Sequence, residues 1–404
     1  MIEQLQEKQR KLVYNAKNIT YIRNEFELLE SSERLIALVG ARGVGKTTLL
    51  LQYLSKFSLD EALYFSADDI SIVNFGIIEI VQEFYKLGGR IVVIDEVHMF
   101  KEWAAHIKNL YDFYPDLTLR ISGSSMLNIL MQSHDLSRRI VTKELQTLTF
   151  KEYFEIKYKS SLPGFSLEEI LKNHNNLSFE LTQKYPNLYK EFTQYLKSGA
   201  YPFFATSKDS DTFNSKLFNS MEKIIYEDIP STNKIKFENL SVFKKLIYLV
   251  ISSKVPFSVK IDSLAKDLGV SEPTLYAYLE ILDKTGIFRT IRKYSVKQTK
   301  KPQKLYFKNT NILYALSVDQ KIAIDIGTVR ETFFVSCFDD IYYSDIGDFR
   351  VNDVFFEVGG KNKNFEQIKD NPKGYLAIDI DTTTNKHKVP LWMFGMLDSY
   401  VASH

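Results

Sequence analysis

The 404 residues contain one cysteine, Cys337. A disulfide within the chain is therefore excluded, and so is a zinc site built on several thiolates. Histidine is scarce as well. Of the six, only His98 and His106 lie near each other, and they are too far apart for adjacent helical turns. No zinc site is read. Long apolar runs are missing too. Stretches such as Leu35–Gly40 and Ile91–Ile94 are far too short to span a bilayer. The first residues, MIEQLQEKQRKLVYNAKNI, are polar and lack the apolar core of a secretory signal. Together these absences predict a cytoplasmic protein with no membrane partner. Charge of one sign is not in excess either. Lys plus Arg is 52 against 50 Asp plus Glu, a net charge of +2. Net charge gives no global argument for nucleic acid.

What is present is an ordinary folded composition, 45% hydrophobic and 25% charged. The length suggests two or three domains. Through residue 150, apolar strands alternate with helices. Strands are expected at Leu35–Val39, Ala62–Ser66, Ile91–Ile94 and Leu117–Ser122. The helices between them include one carrying Ile70, Phe75, Ile78, Val81 and Phe84. This alternation predicts a parallel α/β sheet. Residues 151–240 carry apolar and charged side chains at helical spacing, with candidate linkers at Leu162-Pro163-Gly164 and over Asn173–Leu177. Residues 241–308 predict three helices and a hairpin. Residues 309–404 return to short strands, at Ile341–Tyr343, Val354–Val358, Gly374–Ile378 and Pro390–Phe394.

The strongest signal is Gly40-Ala41-Arg42-Gly43-Val44-Gly45-Lys46-Thr47, followed by Thr48. It fits GxxxxGK[ST], follows an apolar strand and opens a helix. Glycines let backbone N–H groups wrap a phosphate chain, and the helix points its positive end at the same place. Gly40, Gly43, Val44, Gly45, Lys46, Thr47 and Thr48 are the candidate ATP-binding residues. Lys46 would neutralise the β- and γ-phosphates and Thr47 would ligate Mg²⁺. The strand Ile91–Ile94 ends in Asp95-Glu96. Asp95 would hold Mg²⁺ through its water shell, and Glu96 would polarise the attacking water as general base. The fourth strand ends in Ser122-Gly123-Ser124-Ser125. Ser122 is preferred as a sensor of the γ-phosphate, with Ser124 and Ser125 as alternatives; a serine there also suits a helix N-cap. Arg138 or Arg139 could act as a finger on a neighbouring protomer's nucleotide, which would make the protein a homo-oligomer; a solvated surface pair is the other reading.

These motifs resemble the AAA-type P-loop ATPases of bacteria and archaea whose C-terminal half is a conserved domain of unknown function. The resemblance rests on GARGVGKTTLL, IVVIDEVHMFKEWAAHIKNLYD, ISGSSM, ELQTLTFKEYF, YLKSGAYPFF, KIIYEDIP and FEVGGKNKNFEQIKD. It implies an ATPase core over 1–150, a helical, lid-like middle over 151–240, a winged helix over 241–308 and a small α/β endonuclease-like domain over 309–404. Lys46, Thr47, Asp95 and Glu96 are carried over as its nucleotide and Mg²⁺ residues. Such sequences usually carry Gly-Arg after the fourth strand. Here Ser137-Arg138-Arg139-Ile140 stands in that place, and Arg139 is the better match.

Val259–Leu268, Gly269 and Ser271–Lys284 have the spacing of helix, turn and helix, with Ser271 as N-cap. Between Lys284 and Lys308 there are nine basic residues and no acidic one. Lys297, Lys300, Lys301 and Lys304 are the candidate DNA or RNA contacts. The second helix carries Glu272, Glu280 and Asp283, a poor set for a major groove, and a protein partner is the alternative. In the last domain Glu331, Asp348 and Glu357 could be the carboxylates of a metal-dependent nuclease. The lysine of such a site is expected two residues after Glu357, but Gly359 stands there and Lys361 comes four residues after. Two residues of strand span roughly 7 Å and four roughly 13 Å, so Lys361 returns only through a bulge at Gly359-Gly360. A degenerate, structural domain is therefore preferred over an active nuclease. Three function classes follow. They are an ATPase acting on nucleic acid, a nucleotide-dependent switch for a protein partner, and an ATP-gated nuclease.

Overall fold

The structure is a computed structural model and describes residues 1–123, 136, 138–232, 235, 239–294 and 301–398. The chain forms two compact units, residues 1–147 with 231–233 and residues 148–230 with 234–404.

The first unit is built on a parallel sheet. β1 (Leu35–Val39) is a continuous apolar run, buried along its whole length. Such a strand suits a sheet covered on both faces. It lies inside the order β2-β3-β4-β1-β5, formed with β2 (Ala62–Ser66), β3 (Ile91–Asp95), β4 (Thr118–Gly123) and β5 (Val141–Glu144). Every pairing is parallel. β5 has no apolar run to announce it: it reads Val-Thr-Lys-Glu on a sheet edge. The helices are α1 (Ile2–Lys17), α2 (Phe26–Leu29), α3 (Lys46–Leu54), α4 (Ile70–Phe75), α5 (Ile77–Lys86) and α6 (Trp103–Phe113). The single helix expected across Ile70–Phe84 is thus two, divided at Gly76.

β2 is the other edge. Gln9 of α1 covers it: Nε2 donates to Ala62 O at 3.0 Å, and Oε1 accepts from the Tyr64 N–H at 2.8 Å. One buried amide side chain thus satisfies backbone groups that a further strand would have taken.

The second unit opens with the helices Phe150–Tyr158, Leu167–Lys184, Leu188–Ser198 and Ser210–Lys223. Thr149 with Glu152 and Ser166 with Glu169 form capping boxes at the first two. The expected linker over Asn173–Leu177 is instead the middle of the second helix. Its polar run misled because Ser166 and Glu169 fix the helix start upstream. The helices Leu240–Ile251, Ile261–Leu268 and Glu272–Lys284 follow. With them comes an antiparallel sheet of order β6-β8-β7, from β6 (Phe257–Ser258), β7 (Phe288–Arg292) and β8 (Pro302–Phe307).

The last segment is a mixed sheet of order β13-β12-β11-β10-β9. Its strands are β9 (Tyr342–Tyr343), β10 (Phe349–Val351), β11 (Val354–Gly359), β12 (Gly374–Ile378) and β13 (Lys388–Pro390). The helix Ile326–Ser336 packs on it, with the Phe334 ring 5.7, 5.1 and 4.9 Å from those of Phe349, Phe356 and Phe394. The strand expected at Pro390–Phe394 ends at Pro390, and Leu391–Met396 turns into a buried 3₁₀ helix. Burial accounts for that apolar run as well as a strand would.

Candidate functional site

The sheet order of the first unit places β3, β4 and β1 side by side, so their carboxyl ends meet. There β1 runs into the glycine loop. Gly40 is pressed on the backbone: a Cβ would stand 2.4 Å from Leu145 O. Gly45, at φ 103°, takes the left-handed turn that starts α3. Val44 is buried beneath the loop. Lys46 is 5% exposed, and its Nζ donates to Gly40 O at 2.9 Å and to Ala41 O at 3.0 Å. The lysine therefore lies along the inside of the loop.

Asp95 closes β3 and is buried. Its Oδ2 accepts from Thr47 Oγ1 at 2.6 Å and from the Tyr64 hydroxyl at 3.0 Å. Its Oδ1 accepts from Ser122 Oγ and, at 3.1 Å, from the Glu96 N–H. Thr47 and Asp95, the two residues expected to hold Mg²⁺, are thus in contact. A hydroxyl and a carboxylate at a phosphate-binding loop suit an ion that keeps most of its water shell. Ser122, the residue preferred from sequence as a γ-phosphate sensor, ties β4 to β3. Ser124 and Ser125 lie outside the described residues.

Glu96 follows in a left-handed conformation, φ 49°, unusual for a residue with a side chain. Its N–H also reaches Ser122 Oγ at 3.2 Å. The next turn brings the buried His98 Nδ1 within 3.5 Å of Glu96 Oε2. Two residues here escaped the reading of the sequence. His98 was weighed only as a metal ligand. Tyr64 has no role of its own in the strand expected over Ala62–Ser66, yet a hydroxyl on a buried strand needs a partner, and that is the signal that points to it. Burial, and then the neighbouring Asp95 charge, push the Tyr64 phenol well above its usual pKa, so it stays a donor.

Arg139 is engaged within its own chain. Its Nε donates to Asp112 Oδ1 at 2.8 Å and its Nη2 to Oδ2 at 3.1 Å, a two-pronged pair. That pairing raises the Arg139 pKa and does not favour the finger reading. Arg138 is exposed.

In the second unit Glu331, Asp348 and Glu357 do come together, but the lysine differs from expectation. Lys361 is exposed, while Lys363 Nζ stands 2.6 Å from Glu357 Oε1. Gly359 makes the room: a Cβ there would lie 2.7 Å from Lys363 Cγ. Chain reversal after β11, and not a bulge within it, returns a lysine to the strand. Burial would lower the Lys363 pKa, but the bond to Glu357 and the nearby charges of Asp348 and Glu331 raise it. Asp348 Oδ2 accepts from the Val358 N–H at 2.9 Å. Glu331 Oε2 accepts from Tyr306 at 2.5 Å and from Lys304 at 3.3 Å. Burial and then repulsion from Asp348 raise the Glu331 pKa. Among the described residues, no three acidic, histidine or cysteine side chains stand together as a metal-ligand set. Two of the three carboxylates are paired with lysines, Glu357 with Lys363 and Glu331 with Lys304.

Lys304 is therefore not a solvent-facing contact of the basic ribbon, because Glu331 holds it. Lys293 likewise pairs with Asp345, and Lys284 with Glu280 at 2.7 Å. Arg292 and Lys301 are exposed. Lys297 and Lys300 lie outside the described residues. No helix among the described residues is long and apolar enough to cross a membrane.

Comparison with known proteins agrees with this geometry. Residues 32–154 match the model of an AAA domain, and residues 189–322 match that of a domain of unknown function. The second match covers helices and the three-stranded sheet of the second unit, and stops before the mixed sheet. The chain is 29% identical over 323 residues to the uncharacterized protein MJ1637 of Methanocaldococcus jannaschii, covering 76% of this chain and 66% of that one. A second protein of that organism, the uncharacterized MJ1544, is 22% identical over 72% of this chain and 64% of its own length. The matched region thus spans just under two thirds of each relative. Among solved structures, the Walker-type ATPase PABY2304 of Pyrococcus abyssi aligns with 72% of this chain and 93% of its own, at 15% identity and a TM-score of 0.42. The Aeropyrum pernix ORC1 protein, solved in complex with DNA, covers 77% and 92% at 12% identity and a TM-score of 0.31. The loop motif, the parallel sheet and the family match together make residues 32–154 similar to AAA domains, in a chain whose residues 189–322 are similar to a domain of unknown function.

Proposed function

We propose that the chain binds Mg²⁺-ATP in the glycine loop, hydrolyses it slowly, and uses nucleotide state to set the C-terminal segments. The observation that carries this reading is the 2.6 Å contact of Thr47 with Asp95, beside a lysine held inside the loop. Bound Mg²⁺ would supply charge neutralisation to the phosphates. Phosphate oxygens would offer Lys46 acceptors in place of the carbonyls of Gly40 and Ala41. Glu96, at the strand end and partly exposed, would take the proton of the attacking water. Lys46→Ala should reduce ATP affinity by at least a hundredfold in calorimetry, and unchanged affinity would refute the loop assignment. Glu96→Gln should retain binding and lose on the order of a hundredfold in turnover, the scale of general-base catalysis.

The division of the second unit into a helical middle over 151–240, a winged helix over 241–308 and an endonuclease-like domain over 309–404 belongs to this proposal. The helices and antiparallel sheet between Leu240 and Phe307 support the winged-helix part. For the partner, we favour a protein over DNA or RNA. Three of the nine basic residues of the ribbon are held in ion pairs by Glu280, Asp345 and Glu331. The test is ATPase rate with and without DNA or RNA. Stimulation that disappears on changing Lys297, Lys300 and Lys301 to Ala would reverse that preference.

A further inference from the structure

We propose that Tyr64 is a positioning residue of the nucleotide site, whose hydroxyl orients Asp95 toward the Mg²⁺ of bound ATP. The inference rests on the ATP-binding reading above. Among the described residues, Asp95 Oδ2 has two donors, Thr47 Oγ1 and the Tyr64 hydroxyl. Thr47 sits at the head of α3, beside the loop, and is itself an expected metal ligand. Tyr64 sits on β2, separated by β3 and β4 from β1 and the loop that follows it, and its backbone is fixed on both sides. One side is the parallel pairing with β3, in which Tyr64 is opposite Val93. The other is Gln9 of α1, which accepts from the Tyr64 N–H. The phenol is therefore a donor on a rigid mount.

Packing does not explain the hydroxyl. Tyr64 is 7% exposed between Leu63 and Phe65, in the buried part of β2 that precedes Ser66. Phenylalanine would fill the same volume without the cost of burying a polar group. The hydroxyl meets one carboxylate oxygen, Asp95 Oδ2. Oδ1 is held separately, by Ser122 and the Glu96 N–H. With both oxygens held, the plane of the carboxylate is set before an ion arrives, which is the usual means of preorganising a metal-binding group.

The test uses the full chain and a non-hydrolysable ATP analogue, titrated by calorimetry in EDTA and across a range of Mg²⁺ concentrations. Tyr64→Phe should leave the EDTA affinity within about twofold of wild type. The Mg²⁺ concentration for half-maximal enhancement should rise on the order of tenfold, the scale of one hydrogen bond to a charged group. In an Asp95→Asn background the same change should add nothing. An unchanged Mg²⁺ requirement overturns the proposal. So does an equal loss of affinity in EDTA and in Mg²⁺, which is what a merely structural role would give. A wild-type chain that binds no nucleotide overturns the ATP-binding reading, and this inference with it.

Discussion

The glycine loop of the first unit and the carboxylate cluster of the second are made of the same materials. Each combines an acid on a strand with a lysine delivered by a turn, and a glycine where a side chain would obstruct. They differ in how the chain delivers the lysine. In the loop, Lys46 is fixed by the turn that begins at Gly40, so the placing of the lysine is written in eight consecutive residues. In the cluster, Lys363 reaches Glu357 from beyond the strand end, after the chain has reversed. Chain direction after Gly359-Gly360 decides which lysine arrives, and spacing along an extended strand does not describe it. The partners differ as well. Asp95 is held by neutral hydroxyls and a backbone N–H, so its charge remains available to a cation. Glu331 and Glu357 already face ammonium groups.

That contrast can be tested hardest at the lysines. Glu357 has 2% of its side chain exposed and Lys363 has 34%. Removing a partner from a buried pair commonly costs 3–5 kcal/mol. With one end partly solvated, Lys363→Ala should cost about 2 kcal/mol. Lys361→Ala should stay within about 0.5 kcal/mol. The measurement is urea unfolding followed at Trp392, in a Trp103→Phe background so that one buried indole reports on the second unit. Equal effects at the two lysines would return the cluster to the arrangement expected from sequence.

A smaller difference separates the basic residues of the ribbon. Lys304 and Glu331 are 15% and 13% exposed, and the Tyr306 hydroxyl completes their contact. A double-mutant cycle between Lys304→Met and Glu331→Gln should give a coupling of about 1 kcal/mol. Lys301→Met, at an exposed position, should change stability by less than about 0.5 kcal/mol. A coupling near zero would release Lys304 for other partners and revive the nucleic-acid reading.

Sequence was informative where one local pattern had one physical solution. The parallel core was legible, and so was the gathering of the glycine loop, Thr47, Asp95 and Ser122 at its strand ends, because apolar strands and a glycine-rich turn between strand and helix leave few alternatives. The cap at Ser271 was legible for the same reason. β5 was not, since four mixed residues on a sheet edge have no periodicity to read. Asn173–Leu177 misled because polar residues inside a helix look like a linker until the upstream capping box is recognised. The 3₁₀ turn at Leu391–Met396 misled because burial needs apolar residues in any backbone shape. Tyr64, Arg139 and Lys304 depend on partners distant in sequence, so no local pattern announces their contacts.

The smallest effect lies at the edge of the nucleotide unit. Lys8 of α1 donates to Asp69 at 2.7 Å, and Asp69 also caps α4 by accepting from the Ser71 N–H at 2.9 Å. The Lys8 bond first, and then those from Ser71, hold the Asp69 carboxyl down to about 2 from an ordinary 3.8. A lowered acid pKa contributes stability above the unfolded value, and that contribution fades as pH falls from 3.8 toward 2. The pair is solvent-exposed, so its share is a few tenths of a kcal/mol. The helix cap survives when the lysine is removed. Lys8→Met should therefore destabilise slightly at pH 6, and by less at pH 3, in urea unfolding at both values. A penalty that grows on acidification would show that Lys8 works through packing of α1 and not through the Asp69 charge.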